Sequence, residues 1–192
     1  MRVIAGRLKG RRLKTPTWDG LRPTSDKLRE TLFNIIAPRI AGARLLDGYA
    51  GTGAVDIEAL SRGAAHVTFV ERDRRALRLI AENLAGCAVE ADYTIEAADT
   101  AAVLRRRIRP AFDIIWLDPP YDMVTLRDAL EAAAGALSPH GLVVLERATR
   151  RDPDVPPVLR RIRDVISGDS ALTFLAPAGD AAGDVAPPPP SL

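Results

Sequence analysis

Residues 112–117, Phe-Asp-Ile-Ile-Trp-Leu, carry five hydrophobic side chains in six positions and stop abruptly at Asp118-Pro119-Pro120-Tyr121. The run is too short for a helix of useful length, and prolines bound it. It therefore reads as a strand buried on both faces. Such a strand needs cover above and below, which points to a parallel sheet sandwiched between helices. The rest of the chain agrees. Strand patterns at Arg44–Asp47, His66–Glu71, Tyr93–Asp99 and His140–Arg147 alternate with helical patterns at Ala54–Arg62, Arg74–Gly86, Thr100–Ile108 and Val124–Leu137. A further helix is expected over Asp26–Ile36, with Thr24 or Ser25 as its N-cap and Pro38 as its stop. Two last strands flank Ser167-Gly168-Asp169-Ser170 and read as a hairpin. The expected fold is α/β, Rossmann-like and mostly parallel. Its sheet has seven strands, closes on an antiparallel hairpin and carries a small basic N-terminal extension.

The chain has 192 residues and one cysteine, Cys87, so it has no internal disulfide and suits a reducing compartment. No run is long and apolar enough to span a membrane, and the charged start lacks the apolar stretch of a signal peptide. A cytoplasmic monomer is expected. His66 and His140 lack metal-ligand spacing, and no metal is expected. Trp18 and Trp116 read as packing groups.

Charge is unevenly placed. Residues 1–30 hold nine Lys or Arg against Asp19, Asp26 and Glu30, a net +6. The whole chain is +2, so the remainder carries −4. A basic arm on a mildly acidic body suits a polyanionic partner. The division expected is an RNA-binding arm at 1–21, a catalytic domain at 22–176 and a disordered tail rich in Pro, Ala and Gly at 177–192.

Leu45-Leu46-Asp47-Gly48-Tyr49-Ala50-Gly51-Thr52-Gly53 puts an acid at a strand end and glycines before a helix. Glycine there admits a ligand close to the backbone, and the helix N-terminus adds its positive end. Asp56 stands where a dinucleotide fingerprint has its third glycine, which counts against an NAD-type oxidoreductase. A carboxylate beside the loop suits a ligand with a positive amino group, such as S-adenosylmethionine. Glu71, ending the next strand, is placed for the two hydroxyls of a ribose, and Asp99 for an adenine amine.

The Asp118–Tyr121 turn has two prolines and hence no N–H at either position, so it offers mainly acceptors. Acceptors suit an exocyclic NH₂ group, which they orient while drawing its lone pair out of conjugation. Tyr121 can stack on the base.

"DPPY" together with "DGYAGTG" resembles the amino-group methyltransferases acting on adenine N6, cytosine N4 or guanine N2. The blocks "MRVIAGRLKGRRLKTP", "LRPTSDKLRETLFNII", "LDGYAGTGAVDIEALSRGAAHVTFVERD", "FDIIWLDPPY" and "SGDSALTFL" resemble the RsmD-type 16S rRNA guanine-N2 methyltransferases over about residues 1–176. The resemblance implies methylation of guanine 966 of 16S rRNA, with S-adenosylmethionine, in an assembling 30S particle. It implies cofactor contacts from Asp47, Gly48, Ala50, Gly51, Gly53, Glu71, Arg72 and Asp99. Asp118, Pro119, Pro120 and Tyr121 would grip the target base, and Arg7, Lys9, Arg11, Arg12, Arg22, Thr24 and Arg29 would meet RNA. The chain departs from the family where Gly48-Tyr49 replaces an apolar pair and where Val55-Asp56 replaces Gly-Leu or similar. The alternative is a DNA adenine-N6 or cytosine-N4 methyltransferase; 192 residues leave no evident target-recognition domain for it.

Overall fold

The computed structural model describes residues 1–18, 24–106, 111–120 and 125–179. Helix α1 (Asp26–Ile40) leads into four strand–helix units and a fifth strand: β1 (Arg44–Asp47), α2 (Ala54–Ser61), β2 (His66–Val70), α3 (Arg74–Gly86), β3 (Tyr93–Glu96), α4 (Thr100–Arg105), β4 (Phe112–Leu117), α5 (Leu126–Ala136) and β5 (Leu137–Ala148). The hairpin β6 (Leu159–Ser167) and β7 (Ser170–Pro177) closes the fold. The seven strands run in the order β3-β2-β1-β4-β5-β7-β6. Pairing is parallel as far as β5, and β7 is antiparallel to both β5 and β6. The fold is the Rossmann-like methyltransferase architecture that the alternation and the closing hairpin lead one to expect.

Strand β4 is central and covered on both sides. Ile114 and Trp116 enter the core beneath α1 and α2, while Ile115 and Leu117 enter the core beneath α4 and α5. Phe112 joins the second core although its parity matches Ile114, because the register shifts between the two. Strand order reverses between β1 and β4, so a crevice opens beyond their carboxyl ends.

Several boundaries differ from the sequence reading. Of the two expected candidates Ser25 caps α1, its side chain accepting from the Leu28 amide. Pro38 lies inside α1, which runs on to Ile40. The carbonyl four residues before it belongs to Asn34, an exposed position open to water in place of the missing N–H. Strand β2 ends at Val70, so Glu71 is the first residue beyond it. Strand β3 stops at Glu96, and Asp99 instead caps α4, accepting from the Ala102 amide at 3.0 Å. A short carboxylate competes well for helix-start amides, which favours this over a ladder position. Strand β5 starts early, at Leu137, and His140 takes a positive φ within it. The ends expected for α4 at Ile108 and α5 at Val124 lie outside the described residues, as do residues 180–192 of the tail.

The N-terminal segment is not detached from the body. Val3, Leu8 and Leu13 are buried in the same core as α1 and α2, and Arg2 bridges Arg12 in antiparallel fashion. The fully buried Glu58 of α2 accepts from the amides of Ile4 and Ala5 at 2.7 and 2.9 Å and from Arg62 Nε at 2.7 Å. Asn83 of α3 accepts from the Lys14 amide and donates to the carbonyls of Lys14 and Thr52. One side chain thus ties the basic segment to the glycine loop.

Candidate active site at the sheet switch point

A cleft of about 1100 Å³ lies beyond the carboxyl ends of β1, β2 and β4. Asp47, Gly48, Ala50, Gly51, Glu71, Arg72, Asp99, Asp118, Pro119 and Pro120 all line it, together with Thr24. Residues from Thr24 to Pro120 are therefore brought to one cleft, with the carboxylates of Asp47, Glu71, Asp99 and Asp118 among them.

Gly51 and Gly53 have φ of 54° and 74°, a region that favours glycine, and Gly53 caps α2 without a side-chain bond. The first amides of α2 are thus left for a ligand or water. Gly48 is required for a different reason. A Cβ there would lie 2.6 Å from Thr100 Cγ2 and 2.7 Å from Leu117 Cδ2. Thr100 Oγ1 also donates to the Gly48 carbonyl. Thr100 and Leu117 therefore fill the space that an apolar side chain at position 48 would take.

Glu71 is held as a preorganised acceptor. Its Oε1 takes the amides of Arg72 and Asp73 at 2.7 and 2.8 Å, and its Oε2 takes the Gly51 amide at 3.0 Å. With two lone pairs per oxygen, Oε2 keeps one for a hydroxyl donor.

Asp47 and Asp56 are a buried carboxyl pair, 2% and 0% exposed. Asp47 accepts from the Tyr49 amide at 2.9 Å. Among the described residues neither Asp56 oxygen has a hydrogen bond of good geometry. Burial pushes the Asp47 carboxyl up to about 7, against the pull of the Tyr49 amide. Burial, then the charge of Asp47, holds Asp56 well above the usual carboxylate range. The native pair keeps protons that the unfolded chain releases near pH 4, so stability falls as pH rises from 4 towards 7. The slope is about 1.4 kcal/mol per pH unit for each proton retained. Asp56→Asn is expected to flatten that slope and to raise stability at pH 7, measured by urea unfolding at pH 5, 6 and 7. An unchanged slope would show that Asp56 retains no extra proton in the native protein.

Asp118 follows β4 directly and Pro119 is buried, which fixes the turn against the strand. Tyr121 and Arg22 lie outside the described residues. Arg7, Lys9, Arg11 and Arg12 are exposed, as expected for a nucleic-acid contact. Arg29 is not: it is 0% exposed, and its Nη2 donates to the Arg2 carbonyl at 2.6 Å and to Asp26 at 2.9 Å. It fastens the N-terminal segment to α1 and presents no surface to RNA in this conformation.

Two cleft residues escaped the sequence reading. Trp18, read from the sequence as a packing group, lines the cleft, with the Arg75 guanidinium 5.2 Å from its ring centroid. Trp116 is almost fully buried and borders the same cleft from β4. Glu146 stands near the end of β5, 6% exposed, with Thr24 Oγ1 at 3.5 Å. Its signal was available: like Asp47, Glu71 and Asp118, it is an acid ending an apolar run.

A family model described as conserved hypothetical protein 95 matches residues 1–176. The ribosomal RNA small subunit methyltransferase D of Escherichia coli strain K12 is 34% identical over 174 residues, 89% of this chain and 87% of that one. The Haemophilus influenzae protein of the same name is 36% identical over 150 residues, 76% and 78% of the two chains. The solved structure of yhhF from Escherichia coli superposes with a TM-score of 0.81 at 30% identity, covering 94% of this chain and 99% of that one. Family model, relatives and strand order agree, and the chain belongs to the ribosomal RNA small subunit methyltransferase D family.

Proposed function

We propose that this chain uses S-adenosylmethionine to methylate the exocyclic N2 amine of a guanine in 16S rRNA. By resemblance the target is guanine 966, in an assembling 30S particle. The observation that carries the reading is the Asp118-Pro119 turn, set on the same cleft as the glycine loop and Glu71. A methyltransferase family and fold imply a cofactor of this type. The residues present fit it: Glu71 has a lone pair left for a ribose hydroxyl, α2 offers uncapped amides, and Asp47 is a carboxyl beside the loop for an amino group. Gly48, Ala50 and Gly51 line the cleft, whereas Gly53 does not and serves the left-handed turn that starts α2, its Cβ direction facing Phe69 and Ile80. Arg72 and Asp99 would border the adenosine end. When bound, S-adenosylmethionine supplies the electrophilic methyl group.

The chain's own part is to place the amine. The Asp118 carboxylate and the Pro119 carbonyl accept from the two N2 hydrogens, and Pro120 stiffens the turn behind them. A guanine flipped from its stack would present N2 to this turn, with Tyr121 against its face. Asp118 or water receives the proton that the amine sheds. Arg7, Lys9, Arg11 and Arg12 supply an exposed cationic surface for phosphates, and Thr24 stands at the cleft edge. The chain is proposed to act as a cytoplasmic monomer.

Labelled methyl transfer to 16S rRNA, to protein-depleted 30S particles and to DNA in parallel tests the reading. Label is expected in one or both ribosomal substrates and not in DNA; label in DNA alone favours the adenine-N6 or cytosine-N4 reading. Replacing Arg7, Lys9, Arg11 and Arg12 together by Ala is expected to weaken RNA binding. It should also make the plot of log affinity against log salt shallower by about 3. The side chains are exposed, so folding should be unaffected. An unchanged slope would mean that the arm does not meet phosphates.

A further inference from the structure

Glu146 has no part in the chemistry above, yet it is almost fully buried and lines the main cleft. Leu117 and Leu145 are register partners in the parallel β4–β5 ladder, so Asp118 and Glu146 are neighbours one step further on. Adjacent strands lie about 4.8 Å apart. Trp116 and Val144 share one core, and strand alternation carries that face on to positions 118 and 146. Glu146 also lines a smaller cavity of about 360 Å³ that meets the main cleft at Pro119 and Pro120. A second carboxylate thus stands about one strand spacing from the amine-gripping turn.

That spacing matches one edge of one base. Guanine carries N1–H next to its N2 amine, so its edge offers donors side by side. Adenine N1 and cytosine N3, beside their own amines, are acceptors. A carboxylate next to the turn completes the hydrogen bonding of guanine and faces the lone pair of the other two bases. A polar site built for a donor rejects analogues that lack it far more strongly than an apolar pocket rejects a misfit.

We propose that Glu146 is the specificity-determining residue: its carboxylate accepts N1–H of the target guanine while the Asp118-Pro119 turn accepts from N2. This rests on the guanine-N2 reading above. Thr24, at 3.5 Å, orients the carboxylate from the α1 side.

The test uses semisynthetic 16S rRNA in which the guanine methylated by the wild-type enzyme is replaced by 2,6-diaminopurine or 2-aminopurine. Both keep the 2-amine and turn N1 into an acceptor. The wild-type protein is expected to prefer guanine in kcat/KM by about 100-fold or more. Glu146→Gln is nearly isosteric, and its amide can donate to N1. It should lose most activity on guanine and narrow or invert that preference, with S-adenosylmethionine affinity by calorimetry within about 3-fold of wild type. A wild-type preference near unity overturns the proposal without any variant. A Glu146→Gln protein slowed equally on all three bases overturns it too, as a purely structural role would do that. If the wild-type protein labels no guanine N2 in unmodified RNA, the proposal falls together with the reading beneath it.

Discussion

Asp118→Ala is expected to lower methyl transfer by about 10³-fold or more while leaving S-adenosylmethionine affinity within a few-fold of wild type. The split follows from the geometry. Asp118 borders the cleft from the β4 side, whereas the glycine loop, Glu71 and the α2 start border it from β1 and β2. Removing the carboxylate leaves Pro119 buried and Glu71 held by its three backbone donors, so the cofactor wall should survive. What disappears is the acceptor that aligns the amine. Asp118→Asn is a sharper probe, because it keeps the shape and one acceptor oxygen while adding N–H donors that face the amine's own hydrogens. It should also be severely impaired. Near wild-type turnover in either variant would remove Asp118 from the reaction, and parallel loss of cofactor affinity would move it to the cofactor wall.

Glu58→Ala is expected to have the largest effect on stability. Its carboxylate is fully buried and takes three donors, two of them amides of the N-terminal segment. Truncation leaves those N–H groups and the Arg62 guanidinium without their acceptor. Stranding buried donors and a charge in this way costs about 3 kcal/mol or more. For a domain of this size that is a fall in Tm of about 6–12 °C. Residues 1–14 should also become more sensitive to protease, since fewer polar ties remain, those to Arg29, Ser61, Glu82 and Asn83. A Tm within 2 °C of wild type would mean that the N-terminal segment is seated mainly by Val3, Leu8 and Leu13.

Much of this architecture could be read from the chain because its signals are local. A mostly apolar run between prolines fixes β4, and the glycine loop places the β1–α2 turn. The Ser-Gly-Asp-Ser stretch places the β6–β7 hairpin. What could not be read depends on partners distant in sequence. Arg29 looks like any cation in a basic segment until α1 packs it against the Arg2 carbonyl. Glycine at position 48 makes sense only beside Thr100 and Leu117. Asp99 was read as a strand end, but its carboxylate takes the helix-start amide of Ala102 and caps α4 instead. Trp18 belongs to the cleft because Asn83 ties Lys14 to α3, which brings the following residues over Arg75. Glu146 was the one omission with a local signal, an acid ending an apolar run as at Asp47, Glu71 and Asp118.

The central claim is that the Asp118 turn presents a guanine N2 amine for methylation. The most direct measurement is nucleoside analysis, by digestion and mass spectrometry, of 16S rRNA treated with the protein and isotopically labelled S-adenosylmethionine. Wild-type protein is expected to give labelled N2-methylguanosine at a single site, and Asp118→Ala none. Label in N6-methyladenosine, N4-methylcytidine or a ribose methyl group, or N2-methylguanosine formed equally well by Asp118→Ala, would contradict it.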